Sequence, residues 1–136
     1  MIKERIIKKH IKFDTDLKNY NDNLLSKIEQ KNILVIGGAG TIGSSYVKQI
    51  LKYKPSKLTV VDINENGLTE LTRDLRSSNL LDYNPEYITY PVNLLSNTFV
   101  KIFNSDTWQV VANFSAHKHV RSEKDKISVE ALIKNN

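Results

Sequence analysis

Residues 32–43 read Asn32-Ile33-Leu34-Val35-Ile36-Gly37-Gly38-Ala39-Gly40-Thr41-Ile42-Gly43, and Asp62 stands 19 residues beyond the last glycine. After Asn32 the run is continuously apolar and rich in β-branched side chains, the composition of a strand buried on both faces. Glycines 37, 38, 40 and 43 follow at once, and Ser44–Tyr53 then reads as a helix that ends before Pro55. Leu58–Val61 is a second buried strand, closed by Asp62. Strand, glycine loop, helix, strand and acidic residue in this order form a dinucleotide-binding arrangement. The glycines fit G-x-G-x-x-G counted from Gly38 or G-x-x-G-x-x-G counted from Gly37.

The physical reasons are direct. A pyrophosphate must approach the backbone closely, and a Cβ at Gly40 would stand in its way. The free N–H groups and positive end of a helix starting near Thr41 hold the anion. Gly43 allows the helix to pack tightly against the strand. Asp62 can accept hydrogen bonds from the adenosine ribose hydroxyls, and its charge repels a 2′-phosphate, so NAD is expected rather than NADP. Arg73 and Arg76, on the following helix, are positioned in sequence to moderate that preference. A P-loop would require Gly-Lys-Ser/Thr, whereas Gly43 is followed by Ser44-Ser45. A methyltransferase remains a minor rival, with tighter glycine spacing and no need of a helix N-terminus for a pyrophosphate.

Outward from this core, Tyr87–Val92 reads as a third strand, Trp108–Phe114 as a fourth, and Trp108 as a core residue. Helices are expected at Asn64–Ser77, Ser96–Phe103 and Glu123–Lys134. Strand and helix alternate four times, which implies right-handed crossovers and a parallel sheet with helices on both faces. The predicted fold is an α/β, Rossmann-type half-sheet of strand order 3-2-1-4 over residues 31–136, preceded by a helical segment over residues 1–30. Ile2, Ile6, Ile7 and Ile11, then Leu17, Leu24, Leu25 and Ile28, have roughly helical spacing, with Thr15 or Asp16 as a cap between them. Such short amphipathic stretches must dock on the domain that follows.

Composition excludes several classes. The chain has 136 residues, 40% hydrophobic and 26% charged, which is ordinary for a globular domain. It has no cysteine, so it carries no disulfide scaffold, thiolate zinc site, iron–sulfur cluster or cysteine nucleophile. No stretch approaches the roughly 20 apolar residues of a membrane span, and the basic N-terminus lacks the apolar core of a secretory signal. A cytoplasmic location is expected. Of the +5 net charge, most lies in residues 1–12, where Lys3, Arg5, Lys8, Lys9 and Lys12 face Glu4 alone. No basic run is interleaved with aromatics elsewhere, so a nucleic-acid partner is not expected. His117 and His119 lack a third ligand at suitable spacing, so no metal site is expected, and no Ser–His–Asp arrangement is present.

Residues 31–136 resemble the N-terminal half of the extended short-chain dehydrogenase/reductases. Within these they are most similar to nucleotide-sugar 4,6-dehydratases and epimerases of bacterial polysaccharide biosynthesis. The matching residues are Gly37-x-x-Gly40-x-x-Gly43, Val61-Asp62-Ile63-Asn64-Glu65, Leu71-x-Arg73-Asp74-Leu75-Arg76 and Asn113-Phe114-Ser115-Ala116-His117-Lys118-His119-Val120. The last is similar to the family's A-A-x-K-H-V segment, and Asn135-Asn136 to the start of its N-x-x-G-T run. The resemblance implies NAD contacts at Gly37, Gly40, Thr41, Ile42, Gly43, Asp62, Asn93, Leu94, Ser115, Ala116 and Lys118. Asn93 would replace the aspartate that holds the adenine amino group in many members, offering its own acceptor oxygen. Ala116 would face the nicotinamide-side ribose and Lys118 the sugar-nucleotide region, with a structural cation as the equal alternative for Lys118. Ile36 and Ser115 stand where the family often has Thr and Ala.

The resemblance also implies that the catalytic Ser/Thr and Tyr-x-x-x-Lys lie downstream of Asn136, so no catalytic residue is assigned in this chain. Tyr53-Lys54-Pro55-Ser56-Lys57 has the same spacing, but Pro55 prevents the helical alignment the chemistry needs. The chain is thus expected to be the cofactor-binding part of a longer, homo-oligomeric enzyme. Its fourth strand would form an apolar edge, and its final helix would cover one face only. A stand-alone NAD-binding regulatory module is the alternative from a different class.

Overall fold

The apolar run Asn32–Ile36 forms the central strand its composition predicts, and the other strands assemble around it. The computed structural model describes residues 15–116 and 126–135. Their order is α1 (Asn21–Ile28), β1 (Asn32–Ile36), α2 (Thr41–Leu51), β2 (Lys57–Asp62), α3 (Glu65–Ser77), β3 (Glu86–Pro91), α4 (Asn97–Asn104), β4 (Val110–Asn113) and α5 (Lys126–Asn135). A helical turn at residues 15–19 precedes α1. The sheet is fully parallel in the order β3-β2-β1-β4, as the alternation predicts. Ile36 is in register with Val61 and with Asn113, and Asp62 with Pro91, so all four strands end at one edge.

Side chains alternate across the sheet because successive strand residues point to opposite faces. Ile33, Val35, Leu58 and Val60 face α2 and α3, where they join Val47, Ile50, Leu51, Leu68, Leu71 and Leu75. Ile28 of α1 is buried in the same cluster, with Leu24 and Leu25 packed on it, so this part of the N-terminal segment docks as expected. Leu34, Ile36 and Val61 point the other way, onto Phe99 and Ile102 of α4. Each fully buried aliphatic side chain contributes roughly 1.5–3 kcal/mol, so twelve buried residues on the α2–α3 face against five on the α4 face make the first the principal core.

Three expectations change. Asp16 lies inside the first helical turn, its carbonyl accepting from the Tyr20 N–H, so it is not a cap. Trp108 lies ahead of β4, half-buried against the α4-face cluster, with its indole N–H donating to the Phe103 carbonyl at 2.8 Å. The last helix, expected to cover one face, has every described side chain exposed, including Ile127, Val129 and Ile133. Ile2, Ile6, Ile7, Ile11, His117, Lys118 and His119, all assigned roles from the sequence, lie outside the described residues.

Candidate dinucleotide-binding site

The parallel register brings the glycine loop, Asp62, Asn93 and Ser115 to the C-terminal ends of β1, β2, β3 and β4 respectively. The glycines differ in why they are glycine. Gly37 has φ +74°, and a Cβ there would lie 2.5 Å from the Ser115 nitrogen. Gly38 would place a Cβ 2.2 Å from Val60 Cγ1, and Gly43 would place one 2.1 Å from the Gly37 carbonyl oxygen. The loop thus follows G-x-x-G-x-x-G from Gly37, with Gly38 an added packing glycine against β2. Gly43 seats α2 on the loop's own backbone, not on the strand as the spacing alone implied.

Gly40 is the exception. Its φ of −71° suits any residue, and the nearest atom to an added Cβ is the Gly37 oxygen at 3.7 Å, an ordinary contact. The chain itself has no use for glycine here. The space in front of Gly40 is a cradle that a side chain would fill, which fits the close approach of a pyrophosphate. Gly40 is also the N-cap of α2, and no side chain caps that helix. By contrast, α3 is capped by Asn64 Oδ1, which accepts from the Gly67 N–H, and α4 by Ser96 Oγ, which accepts from the Phe99 N–H. The first N–H groups of a helix have no partner within it, so α2 alone among these three offers them outward.

Asp62 does more than the sequence revealed. Its Oδ2 accepts from the Ala39 N–H and its Oδ1 from the Asn64 N–H, each at 2.9 Å. The carboxylate therefore ties the glycine loop to the end of β2, with lone pairs left for ribose hydroxyls. Gly67 completes this contact, since a Cβ there would lie 2.9 Å from the Ala39 Cβ. Sequence reasoning missed Ala39 and Gly67. A glycine in the first turn of a helix was the available signal, because such a residue otherwise costs helix stability.

The remaining candidates divide. Thr41 and Ile42 begin α2, and Ile42 is 69% exposed beside the loop. Asn93 is exposed just past β3, but its Oδ1 accepts from the Leu95 N–H at 2.8 Å, so the oxygen assigned to adenine already serves an Asx turn. Leu94 packs into the α4-face cluster, so its side chain serves the core, and the exposed neighbour is Leu95. Ser115 and Ala116 are both exposed. The Ser115 hydroxyl donates to Asn113 Oδ1 at 2.6 Å, and its N–H donates to the same oxygen. Phe114 stacks tilted on Tyr46 of α2, 5.0 Å between centroids, which anchors the end of β4 to the helix behind the loop. Burial raises the Tyr46 phenol above its ordinary value, so it stays neutral. Arg73 sits about 12 Å along α3 from Glu65, beside Thr89 in mid-β3, so neither it nor Arg76 stands at the Asp62 carboxylate. Tyr53 and Lys57 lie at the opposite end of the sheet, Tyr53 buried and Lys57 paired with Asp106 and Glu86. Among the described residues no group of three or more His, Cys, Asp or Glu side chains is placed to hold a metal.

Fold and loop together define a Rossmann-type domain. The sequence profile of the polysaccharide biosynthesis protein family matches residues 33–136, and the chain belongs to that family. It is 27% identical over 95 residues to the capsular polysaccharide biosynthesis protein CapD of Staphylococcus aureus, covering 69% of this chain and 16% of CapD. It is 46% identical over 52 residues to an uncharacterised membrane protein of Methanocaldococcus jannaschii, covering 38% of this chain and 16% of that protein. The chain thus spans about a sixth of these relatives. Among solved structures it is similar to Pen from Bacillus thuringiensis, with TM-score 0.61 and 27% identity over 78% of this chain and 31% of Pen. It also shares the fold of WbmF from Bordetella bronchiseptica, solved with NAD+ and UDP, with TM-score 0.57 and 21% identity over 82% of this chain and 30% of WbmF. No described helix is long and apolar enough to cross a membrane.

Proposed function

We propose that this chain is the NAD-binding portion of a nucleotide-sugar dehydratase or epimerase of surface-polysaccharide synthesis. The observation that carries the reading is Gly40, a glycine that the fold does not need, at the mouth of an uncapped helix. In this reading the Gly40–Gly43 backbone holds the pyrophosphate, and Asp62 takes the adenosine ribose while keeping the loop in place through Ala39. Asn93 and Ile63 border the adenine, and Ser115 and Ala116 border the nicotinamide half. Bound NAD supplies a hydride acceptor for oxidation of the sugar. Family membership supports the pathway, and WbmF, with both NAD+ and UDP bound, supports the pairing of cofactor and nucleotide sugar. Proton transfer falls to groups not assigned in this chain. The same reading makes the enzyme a homo-oligomer that works in the cytoplasm.

Titration calorimetry with NAD+, NADH and NADPH tests this. NAD+ and NADH should bind more tightly than NADPH, because the Asp62 carboxylate opposes a 2′-phosphate and forms no ion pair among the described residues to offset that charge. Equal affinity for NADH and NADPH would remove Asp62 from the ribose. Heat evolved with none of the three would overturn the reading.

A further inference from the structure

The flank of α3 turned toward β3 carries Thr69, Thr72, Arg73 and Arg76, which with Thr89 line an open groove of about 430 Å³. This lies within the size range of small-ligand sites. The groove runs along the outer strand of the sheet, and Thr89 is in register with Val60 in mid-strand, away from the glycine loop. Two of its hydroxyl protons are committed, since Thr69 Oγ1 donates to the Glu65 carbonyl and Thr72 Oγ1 to the Leu68 carbonyl. With its proton so placed, Thr72 Oγ1 accepts from the Tyr87 hydroxyl at 3.2 Å. The donors left to the groove are Arg73, Arg76 and the Thr89 hydroxyl. Arg73 is shared with Glu70 at 2.7 Å in an exposed pair, the kind that contributes little and exchanges readily. Arg76 forms no ion pair among the described residues.

We propose that this groove is an oxyanion site, separate from the dinucleotide site, that takes the phosphate group of a small phosphorylated molecule. The Arg76 guanidinium presents parallel N–H groups to two phosphate oxygens, the Thr89 hydroxyl donates to a third, and Arg73 turns from Glu70 to the incoming charge. Among the described residues the carboxylate that pairs with a groove side chain is that of Glu70, so its removal strengthens binding.

Amide NMR of the labelled chain, titrated with inorganic phosphate at constant ionic strength against chloride, is the test. Saturable shifts are expected at Thr72, Arg76 and Thr89, while Thr41 and Ile42 report the glycine loop separately. Arg76→Gln should weaken the groove response at least about tenfold, as loss of a hydrogen bond to a charged group does. Glu70→Gln should strengthen it. Shifts confined to Thr41 and Ile42, or a groove response that Arg76→Gln leaves unchanged, would overturn the proposal.

Discussion

At the N-terminal end of the sheet the polar groups are matched to one another, whereas at the C-terminal end backbone donors and acceptors are left facing outward. The first residues of β1, β2 and β3 (Asn32, Lys57 and Glu86) lie in register. Lys57 Nζ reaches Asp106 at 2.7 Å and Glu86 at 3.1 Å, and lies 5.8 Å from the centre of the Trp108 ring. Asp106 Oδ1 also accepts from Asn32 Nδ2 and the Thr107 N–H, and Gln109 Oε1 accepts from the Asn32 N–H. Tyr83 donates to the Pro55 carbonyl, its phenol pushed up to about 12 by burial. At the other end stand an uncapped helix, a glycine with room before it, and the exposed Ile42, Ile63 and Leu95. One end is built to hold the strands together and the other to hold something else. Ligands of open parallel sheets bind at this second end for the same reason.

Substitutions that erase the difference should have the largest effect. Gly43→Ala pushes a Cβ into the Gly37 carbonyl, and neither partner is a flexible side chain that can move aside. A loss of about 3 kcal/mol or more is expected by urea unfolding, with the glycine loop displaced. Gly37→Ala should be similarly severe, because it combines that kind of clash with a left-handed φ.

A smaller effect is expected at the closed end, and it carries a pH signature. The Lys57 hydrogen bond holds the Asp106 carboxyl below its ordinary value, and the bond to Asp106 holds the Lys57 ammonium above its own. A depressed carboxylate stabilises the fold above its unfolded pKa of roughly 3.9, and that stability is lost as pH falls through the folded value. A raised ammonium stabilises below its unfolded pKa of roughly 10.4, and that stability is lost as pH rises through the folded value. The pair should therefore contribute a steady increment across neutral pH. Asp106→Asn should lower the Tm at pH 7 and flatten its fall on the acid side. A variant whose acid limb matches the wild type would remove the clamp from the account.

The smallest effect is a gain. Thr59 lies in mid-β2, in register with Leu34 and Ile88, and its hydroxyl is buried without a hydrogen-bond partner among the described residues. Thr59→Val removes an unpaired polar group from the core at almost constant volume. Stability should rise by about 1 kcal/mol, with cofactor binding unchanged.

The strand order, both helix layers and the position of the loop were legible because each rests on short-range patterning. β1 and β2 are unbroken β-branched runs, and the loop glycines and Asp62 have fixed offsets. Less legible were contacts made between elements. Nothing in the sequence says that Asp62 reaches Ala39, that Asn93 turns its oxygen to Leu95, or that Leu94 packs inward while Leu95 faces out. These depend on where β2 and β3 stop relative to one another, and strand ends are set by register across the sheet. The α5 helix shows the same limit: the sequence reads as a helix there, but its described side chains are exposed.

In the proposed reading, Gly40 is glycine for the sake of a bound dinucleotide and not for the fold. Gly40→Ala tests it with two measurements on one protein, thermal unfolding and NAD+ calorimetry. A loss of stability no larger than the small cost of an altered cap, about 1 kcal/mol or less, is expected, together with loss of detectable NAD+ binding. Undiminished NAD+ affinity in a folded Gly40→Ala protein would contradict it.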